Sequence, residues 1–163
     1  MSLDIADLVP ALDRIGIVAF ALSGVQVGAR RHLDVFGLLV MGVVTATGGG
    51  LVRDALLVRV PFVLAHDDYL LWAVLSSAVA IAIIWAGRTM PGWIVALADA
   101  AGLGAFAAAG ALAAIHADLE LPAVLILAIV TATGGGVIRD LLADRVPLVL
   151  RSEVNATAAV LGG

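Results

Sequence analysis

A six-residue motif that occurs twice carries the residues of this chain most able to do chemistry. Thr-Ala-Thr-Gly-Gly-Gly fills residues 45–50 and again 131–136, at an offset of 86 residues. An arginine and an aspartate follow each copy, namely Arg53 and Asp54, then Arg139 and Asp140. Guanidinium groups hold carboxylates and other anions through paired hydrogen bonds, whereas free carboxylates attract cations. The pattern therefore predicts a glycine-broken helix that carries an ion pair, at two related places.

The composition of the chain places these charges in a membrane. Of the 163 residues, 63% are hydrophobic and 13% are charged, whereas a soluble domain is nearer half apolar and a quarter charged. Too few polar residues are left to cover a water-exposed surface, so lipid must be the solvent. The absence of cysteine excludes disulfides and thiolate metal sites. A net charge of −4 without a basic patch gives no sign of nucleic-acid binding.

Apolar segments predict six membrane helices, because about 20 helical residues cross a hydrocarbon core of roughly 30 Å. Predicted helices 1 to 6 lie near 11–29, 34–59, 69–87, 93–115, 122–145, and from Asn155 to Gly163. Pro91 and Pro122 stand where helices 4 and 5 begin, a position that proline favours. We therefore expect an all-α integral membrane protein that forms a single membrane domain over residues 1–163.

The motif belongs to a longer internal repeat. Residues 13–77 align with 99–163 without a gap, and 26 of the 65 aligned positions are identical. The predicted repeats, 1–88 and 91–163, hold three helices each, and we expect helix 6 to be truncated because its counterpart, helix 3, is longer. Since three is odd, the second repeat enters the membrane from the opposite side. The repeats are then inverted about a pseudo-two-fold axis in the membrane plane.

The glycine triplets predict a break in helices 2 and 5. Each glycine lowers helix propensity by roughly 1 kcal/mol relative to alanine and frees the backbone angles. In lipid, such a break is tolerated where it is buried in protein or lines a wet cavity. The expected hinge residues beside this cavity are Gly48, Gly49, Gly50, Gly134, Gly135 and Gly136. The alternative is that these glycines allow close helix packing.

Both arginines need partners, because a charge at the bilayer centre costs at least ~2.5–3.5 kcal/mol. The aspartate that follows each arginine points about 100° away around the helix, which makes it a poor partner. Asp13 and Asp99 begin helices 1 and 4 on the same membrane sides as the two arginines. We therefore predict the ion pairs Arg53–Asp13 and Arg139–Asp99.

Other polar residues of the apolar segments have two interpretations each. The motif threonines either line a pore or bond to helical carbonyls; they are Thr45, Thr47, Thr131 and Thr133. Ser23 and Gln26 of helix 1 either line a pore or join helices. Arg59 and Arg145 precede prolines near helix ends, where snorkelling to the interface explains them.

The loop arginines predict an orientation. Five fall on one side of the membrane, namely Arg30, Arg31, Arg88, Arg145 and Arg151. Two fall on the other side, Arg14 and Arg59. By the positive-inside rule, the first side faces the cytoplasm of a bacterial inner membrane, and the N-terminus lies outside.

Paired Gly-Gly-Gly-x-x-Arg-Asp motifs in inverted three-helix repeats resemble the prokaryotic TRIC family, the trimeric intracellular cation channels. The same sequence family has also been labelled a glycine transporter family. The resemblance covers essentially the whole chain. It implies a homotrimer in the lipid bilayer, with an hourglass pore in each protomer bounded by helices 1, 2, 4 and 5. Family members have a seventh helix, for which this sequence has no counterpart.

The resemblance implies that monovalent cations, K⁺ or Na⁺, permeate the pore, and it implies no cofactor. The glycine triplets with Arg53, Asp54, Arg139 and Asp140 carry over as pore-region residues. Each arginine then acts either as a gate or as a structural charge that aspartates neutralise. The alternative function is a secondary transporter of a small zwitterion such as glycine, since broken helices in inverted repeats are also transporter architecture.

An enzyme is not expected. The sequence holds no His-Glu-x-x-His, no Gly-x-Ser-x-Gly and no phosphate-loop motif. We therefore predict no catalytic residue and no metal site.

Overall fold

The computed structural model describes residues 5–87 and 90–150, which are almost entirely helical. Five long helices are α1 (Ile5–Arg30), α2 (Val35–Leu56), α4 (Asp67–Trp85), α5 (Gly92–His116) and α6 (Leu121–Leu142). A short α3 (Phe62–Ala65) and a 3-10 turn (Leu148–Leu150) follow α2 and α6, respectively. The five long helices are apolar and long enough to cross a membrane. Predicted helices 1 to 5 are confirmed as α1, α2, α4, α5 and α6, and predicted helix 6 lies outside the described residues.

Four of the long helices form the centre of the fold. α1 packs on α2 and α5, and α6 packs on the same two helices, so α1 and α6 face each other diagonally. α4 packs against α1 and α2. In the centre, the rings of Phe20 and Phe106 are buried, with centroids 5.3 Å apart. The two rings stand at equivalent positions of the repeat.

Contacts between α1 and α5 are reciprocal. A Cβ atom added at Gly16 would meet Phe106, and one added at Gly102 would meet Phe20. Residue numbers therefore rise along α1 as those of their contacts fall along α5, which means that the two helices run antiparallel. Since Gly16 and Gly102 are equivalent in the repeat, a two-fold axis relates the helices.

The contacts between α2 and α6 follow the same rule. Gly49 lies against the carbonyl oxygen of Thr131, and Gly135 lies against that of Thr45. The helices thus cross antiparallel at their glycine triplets, about the same axis. This geometry gives inverted halves, as the sequence predicts, while the exact repeat boundaries stay a prediction.

The prediction that helices 2 and 5 are broken at the glycines is wrong. α2 and α6 run as uninterrupted helices through residues 48–50 and 134–136. An unbroken helix satisfies every backbone group within lipid, and the missing side chains let the two backbones touch. Together these gains outweigh the low helix propensity of glycine.

Both motif helices end three residues earlier than predicted, at matching turns. Val58 after α2 and Asp144 after α6 adopt left-handed backbone angles, with φ of 53° and 52°. His32 and Asp118, which follow α1 and α5, do the same with φ of 56° and 53°. Each pair is separated by the repeat offset, so the repeat preserves the turn geometry as well as the helices. Left-handed residues are common at helix C-termini, where they end the helical hydrogen bonding.

Candidate functional site

Arg53 is enclosed in protein, although it lies in a membrane helix. Its side chain is 1% exposed at the end of α2. Nη1 and Nη2 donate to Oδ1 and Oδ2 of Asp13 in α1, at 2.7 and 3.0 Å. The predicted Arg53–Asp13 pair is confirmed, and it has the bidentate geometry that makes charge-assisted hydrogen bonds strong. The positive charge is therefore neutralised within the helix bundle.

Asp54 completes this first cluster. Its Oδ1 accepts from Nε of Arg53 at 2.9 Å and from Nη2 of Arg59 at 2.6 Å. Its Oδ2 accepts from the backbone N–H of Phe62 at 2.8 Å. The prediction that Asp54 is a poor partner for Arg53 is wrong, because the long arginine side chain bends back to reach its neighbour. Arg59 likewise binds a carboxylate, so snorkelling alone does not explain it. Asp54 therefore ties the end of α2 to α3.

The second cluster is centred on Arg139 at the end of α6. Its Nη1 donates to Oδ1 of Asp99 at 2.7 Å and to Oγ of Ser23 at 2.5 Å. Its Nε donates to Oδ1 of Asp140 at 3.0 Å, and the backbone N–H of Leu148 donates to Oδ2 of Asp140 at 2.9 Å. The predicted Arg139–Asp99 pair is confirmed. The prediction that Asp140 is a poor partner is wrong for the same reason as at Asp54.

The two clusters lie beside cavities of different size. A cavity of about 340 Å³ borders Arg139 and Asp99, whereas the one that borders Arg53 and Asp13 measures about 20 Å³. The Asp99 side chain is 21% exposed, against 4% for Asp13. One ring of the central phenylalanine pair lines each cavity. The aromatic pair therefore stands between the two spaces.

Some motif residues line the two cavities, and others form the packed crossing of α2 and α6. Thr133 and Gly136 line the larger cavity, and Thr47 and Gly50 line the smaller one. The other motif glycines lie at the α2–α6 crossing. All four motif threonines donate their hydroxyls to the carbonyl oxygen four residues earlier, at 2.5 to 2.8 Å. The helix-internal interpretation of these hydroxyls is thus confirmed, and a role in a pore stays a prediction.

The sequence left Ser23 between two interpretations, and the structure shows that it joins helices. The only signal was a polar residue on α1 where the second repeat has Ala109. Gln26, one turn later, is also buried, and its Oε1 has no hydrogen-bond partner among the described residues.

A protein-family profile matches this chain twice. The family, described as glycine transporter, matches residues 10–86 and 96–163. The two matched segments start 86 residues apart, which is the offset of the internal repeat.

Three similar proteins cover nearly the whole chain. The inner membrane protein YadS of Escherichia coli (strain K12) is 39% identical over 157 residues, 96% of this chain and 76% of that protein. The protein in the crystal structure of a prokaryotic TRIC channel in 0.5 M KCl is 40% identical in sequence, with a TM-score of 0.87. The match covers 94% of this chain and 79% of that one. The TRIC trimeric intracellular cation channel orthologue from Rhodobacter sphaeroides is 32% identical, with a TM-score of 0.85 and the same coverage.

Proposed function

Since the chain belongs to the glycine transporter family and shares its fold with TRIC cation channels, we propose that it is a channel for monovalent cations. K⁺ is the permeating ion that we expect. The path runs within each protomer between α1, α2, α5 and α6, past the two glycine motifs. Thr133, Gly136 and Asp99 border its wider part, and Thr47 and Gly50 border its narrower part.

The balance of charge at the larger cavity carries this proposal. Among the described residues, Asp99 and Asp140 pair with one guanidinium group, that of Arg139, so this part of the cluster holds one more carboxylate than guanidinium groups. The first cluster holds two carboxylates and two guanidinium groups and is balanced. Excess negative charge in a cleft with apolar walls raises the local concentration of cations. An arginine in the path is compatible with cation flow when carboxylates outnumber it.

A secondary transporter of a small zwitterion such as glycine is the second candidate. The matching family is described as glycine transporter, which favours this candidate. Arg139 would hold a carboxylate in such a carrier, and Asp99 would hold an ammonium group. Arg139 and Asp99 share one hydrogen bond, so the guanidinium and the carboxylate both keep further hydrogen-bonding capacity at the cavity. The similar solved structures are channels, which favours the first candidate.

The orientation and the assembly belong to the same proposal. We place the chain in the inner membrane with its N-terminus outside, as a homotrimer. Two contacts support the assignment of the loops to the two sides of the membrane. Arg31 donates to the carbonyl oxygen of Asp144 at 3.1 Å, and Arg14 pairs with Asp68 at 2.8 Å. Each contact joins residues that the sequence assigns to one side. The E. coli relative is an inner membrane protein, and the R. sphaeroides relative is trimeric.

Recordings from planar bilayers test the channel directly. The full-length protein in a KCl gradient should conduct without any organic substrate, with a reversal potential near the K⁺ equilibrium potential. A reversal potential near that of Cl⁻ would overturn the cation assignment. Saturable uptake of glycine into proteoliposomes without channel currents would favour the carrier instead.

A further inference from the structure

Tyr69, near the start of α4, carries a hydroxyl group that is buried in the protein. The residue is 3% exposed, and its Oη has no hydrogen-bond partner among the described residues. Neighbouring side chains hold the ring in place. The rings of Phe62 and His66 lie 5.9 and 6.1 Å from it, and the guanidinium carbon of Arg14 lies 5.5 Å from its centroid. The hydroxyl is therefore fixed in a place where a polar group without a partner destabilises the fold.

Tyr69 lines the smaller of the two cavities, which has room for one water molecule. This cavity, beside the Arg53 cluster, measures about 20 Å³. A cavity needs roughly 10–15 Å³ of free volume, on the same measure, to hold a single water. The space is therefore sufficient for one water molecule and too small for a hydrated ion.

The lining of this cavity offers the polar partners that a bound water requires. A buried water typically makes about three hydrogen bonds. Each carboxylate oxygen of Asp13 accepts one hydrogen bond from Arg53, which leaves each oxygen a further lone pair. Nη1 of Arg53 has two N–H groups, of which Asp13 takes one. Together with the Tyr69 hydroxyl, the lining can both donate to a water molecule and accept from it.

The charge of the lining favours a neutral occupant. Among the described residues, the carboxylates of Asp13 and Asp54 are matched by the guanidinium groups of Arg53 and Arg59. A bare cation or anion would add a buried charge without a counter-charge, which is costly. A water molecule adds no net charge.

We propose that the smaller cavity is a binding site for one water molecule, which bridges the Tyr69 hydroxyl of α4 to the Arg53–Asp13 pair of α2 and α1. The water gives the buried hydroxyl a hydrogen-bond partner. It also joins α4 to the two helices on which α4 packs. The inference does not depend on the proposed channel function, because it concerns the attachment of α4 to the helix bundle.

Unfolding of Tyr69→Phe in the full-length protein tests this inference by the sign of the effect. The variant keeps the ring and removes only the hydroxyl. If the hydroxyl bonds a water, its loss removes a hydrogen bond, and the unfolding equilibrium constant should rise by about two- to tenfold. A hydroxyl without any partner destabilises the wild-type protein, so its removal would lower that constant. An unchanged or lower constant in a denaturant titration in detergent would overturn the inference.

A crystal structure of the wild-type, full-length protein that shows ordered waters is a second measurement, and it needs no variant. We expect one water within about 3.2 Å of Tyr69 Oη and of a polar atom of Arg53 or Asp13. A direct hydrogen bond from Tyr69 to Asp13, with no water in the cavity, would overturn the inference. Anomalous density in the cavity after soaking with Tl⁺ would also overturn it, since the occupant would then be a cation.

Discussion

Arg53 and Arg139 occupy the same position in the two repeats, yet their charges are enclosed to different degrees. Arg53 makes a bidentate pair with Asp13 beside a cavity of about 20 Å³, whereas Arg139 makes one bond to Asp99 beside a cavity of about 340 Å³. The repeat therefore supplies the arginine and its carboxylate in both halves, while the described residues around them differ. If the proposed channel function holds, we expect Arg53 to have a structural role and Arg139 to border the ion path.

Neighbouring side chains account for part of this difference. Phe62 lines the smaller cavity, where its ring stacks on His66 at 4.8 Å and lies 5.4 Å from the guanidinium carbon of Arg59. The repeat has Leu148 at the equivalent position, which lines the larger cavity and makes no such stack. Tyr69 also fills space beside the Arg53 cluster; its counterpart is Asn155, outside the described residues.

The largest effect should separate Asp13→Ala from Asp99→Ala. Removing Asp13 leaves a buried guanidinium without its bidentate partner, which typically costs about 3–5 kcal/mol of stability. Asp99 is partly exposed and Arg139 keeps Ser23, so Asp99→Ala should cost clearly less. Thermal unfolding of both variants in detergent measures the difference. Equal losses of stability would break the distinction between an enclosed and an open cluster.

The next effect lies at the helix crossing. A Cβ at Gly49 would collide with the carbonyl of Thr131, whereas the nearest atom to one at Gly50 is a nitrogen of Arg53 at 3.8 Å. Gly49→Ala should therefore cost about 1–3 kcal/mol through overpacking, whereas Gly50→Ala, which meets no clash, should stabilise the protein by up to about 1 kcal/mol through helix propensity. The same unfolding assay applies. If both variants melt alike, the α2–α6 contact does not depend on the missing side chain.

The ion pairs were predictable from the sequence because an intramembrane arginine requires a carboxylate at the same depth. Asp13 and Asp99 were the candidates on the correct sides. The bonds from each arginine to the next aspartate were not predictable from helix geometry alone, because backbone position says little about where a long guanidinium side chain folds. The hydrogen bond of Ser23 was equally unpredictable, because its partner Arg139 lies in the other repeat and the repeat alignment pairs Ser23 with an alanine.

The helical architecture was also predictable, because apolar length fixes the membrane helices and the repeat fixes their relation. The state of the glycine triplets was not. The low helix propensity of residues 48–50 and 134–136 is consistent with a break in the helix and equally with a close crossing of two helices. The local sequence does not decide between these two outcomes. Only the reciprocal contact between the two triplets, which depends on the whole fold, decides for the unbroken helix.

The smallest effect concerns the turns after the motif helices. Val58 is a β-branched residue with φ of 53°, and its counterpart Asp144 is of a type that tolerates this region better. Val58→Gly should therefore stabilise the protein by roughly 0.5–1 kcal/mol. Asp144→Gly should gain less. A lower melting temperature for Val58→Gly would show that this turn is not strained.

Cysteine accessibility at Thr133 and Thr47 tests the unequal clusters most directly. The chain has no cysteine of its own, and these two threonines line the larger and the smaller cavity at equivalent positions. A cationic thiol reagent should modify Thr133→Cys at least about tenfold faster than Thr47→Cys, and that modification should lower the K⁺ current by adding positive charge to the path. Equal modification rates, or full modification of Thr133→Cys with an unchanged current, would contradict the account.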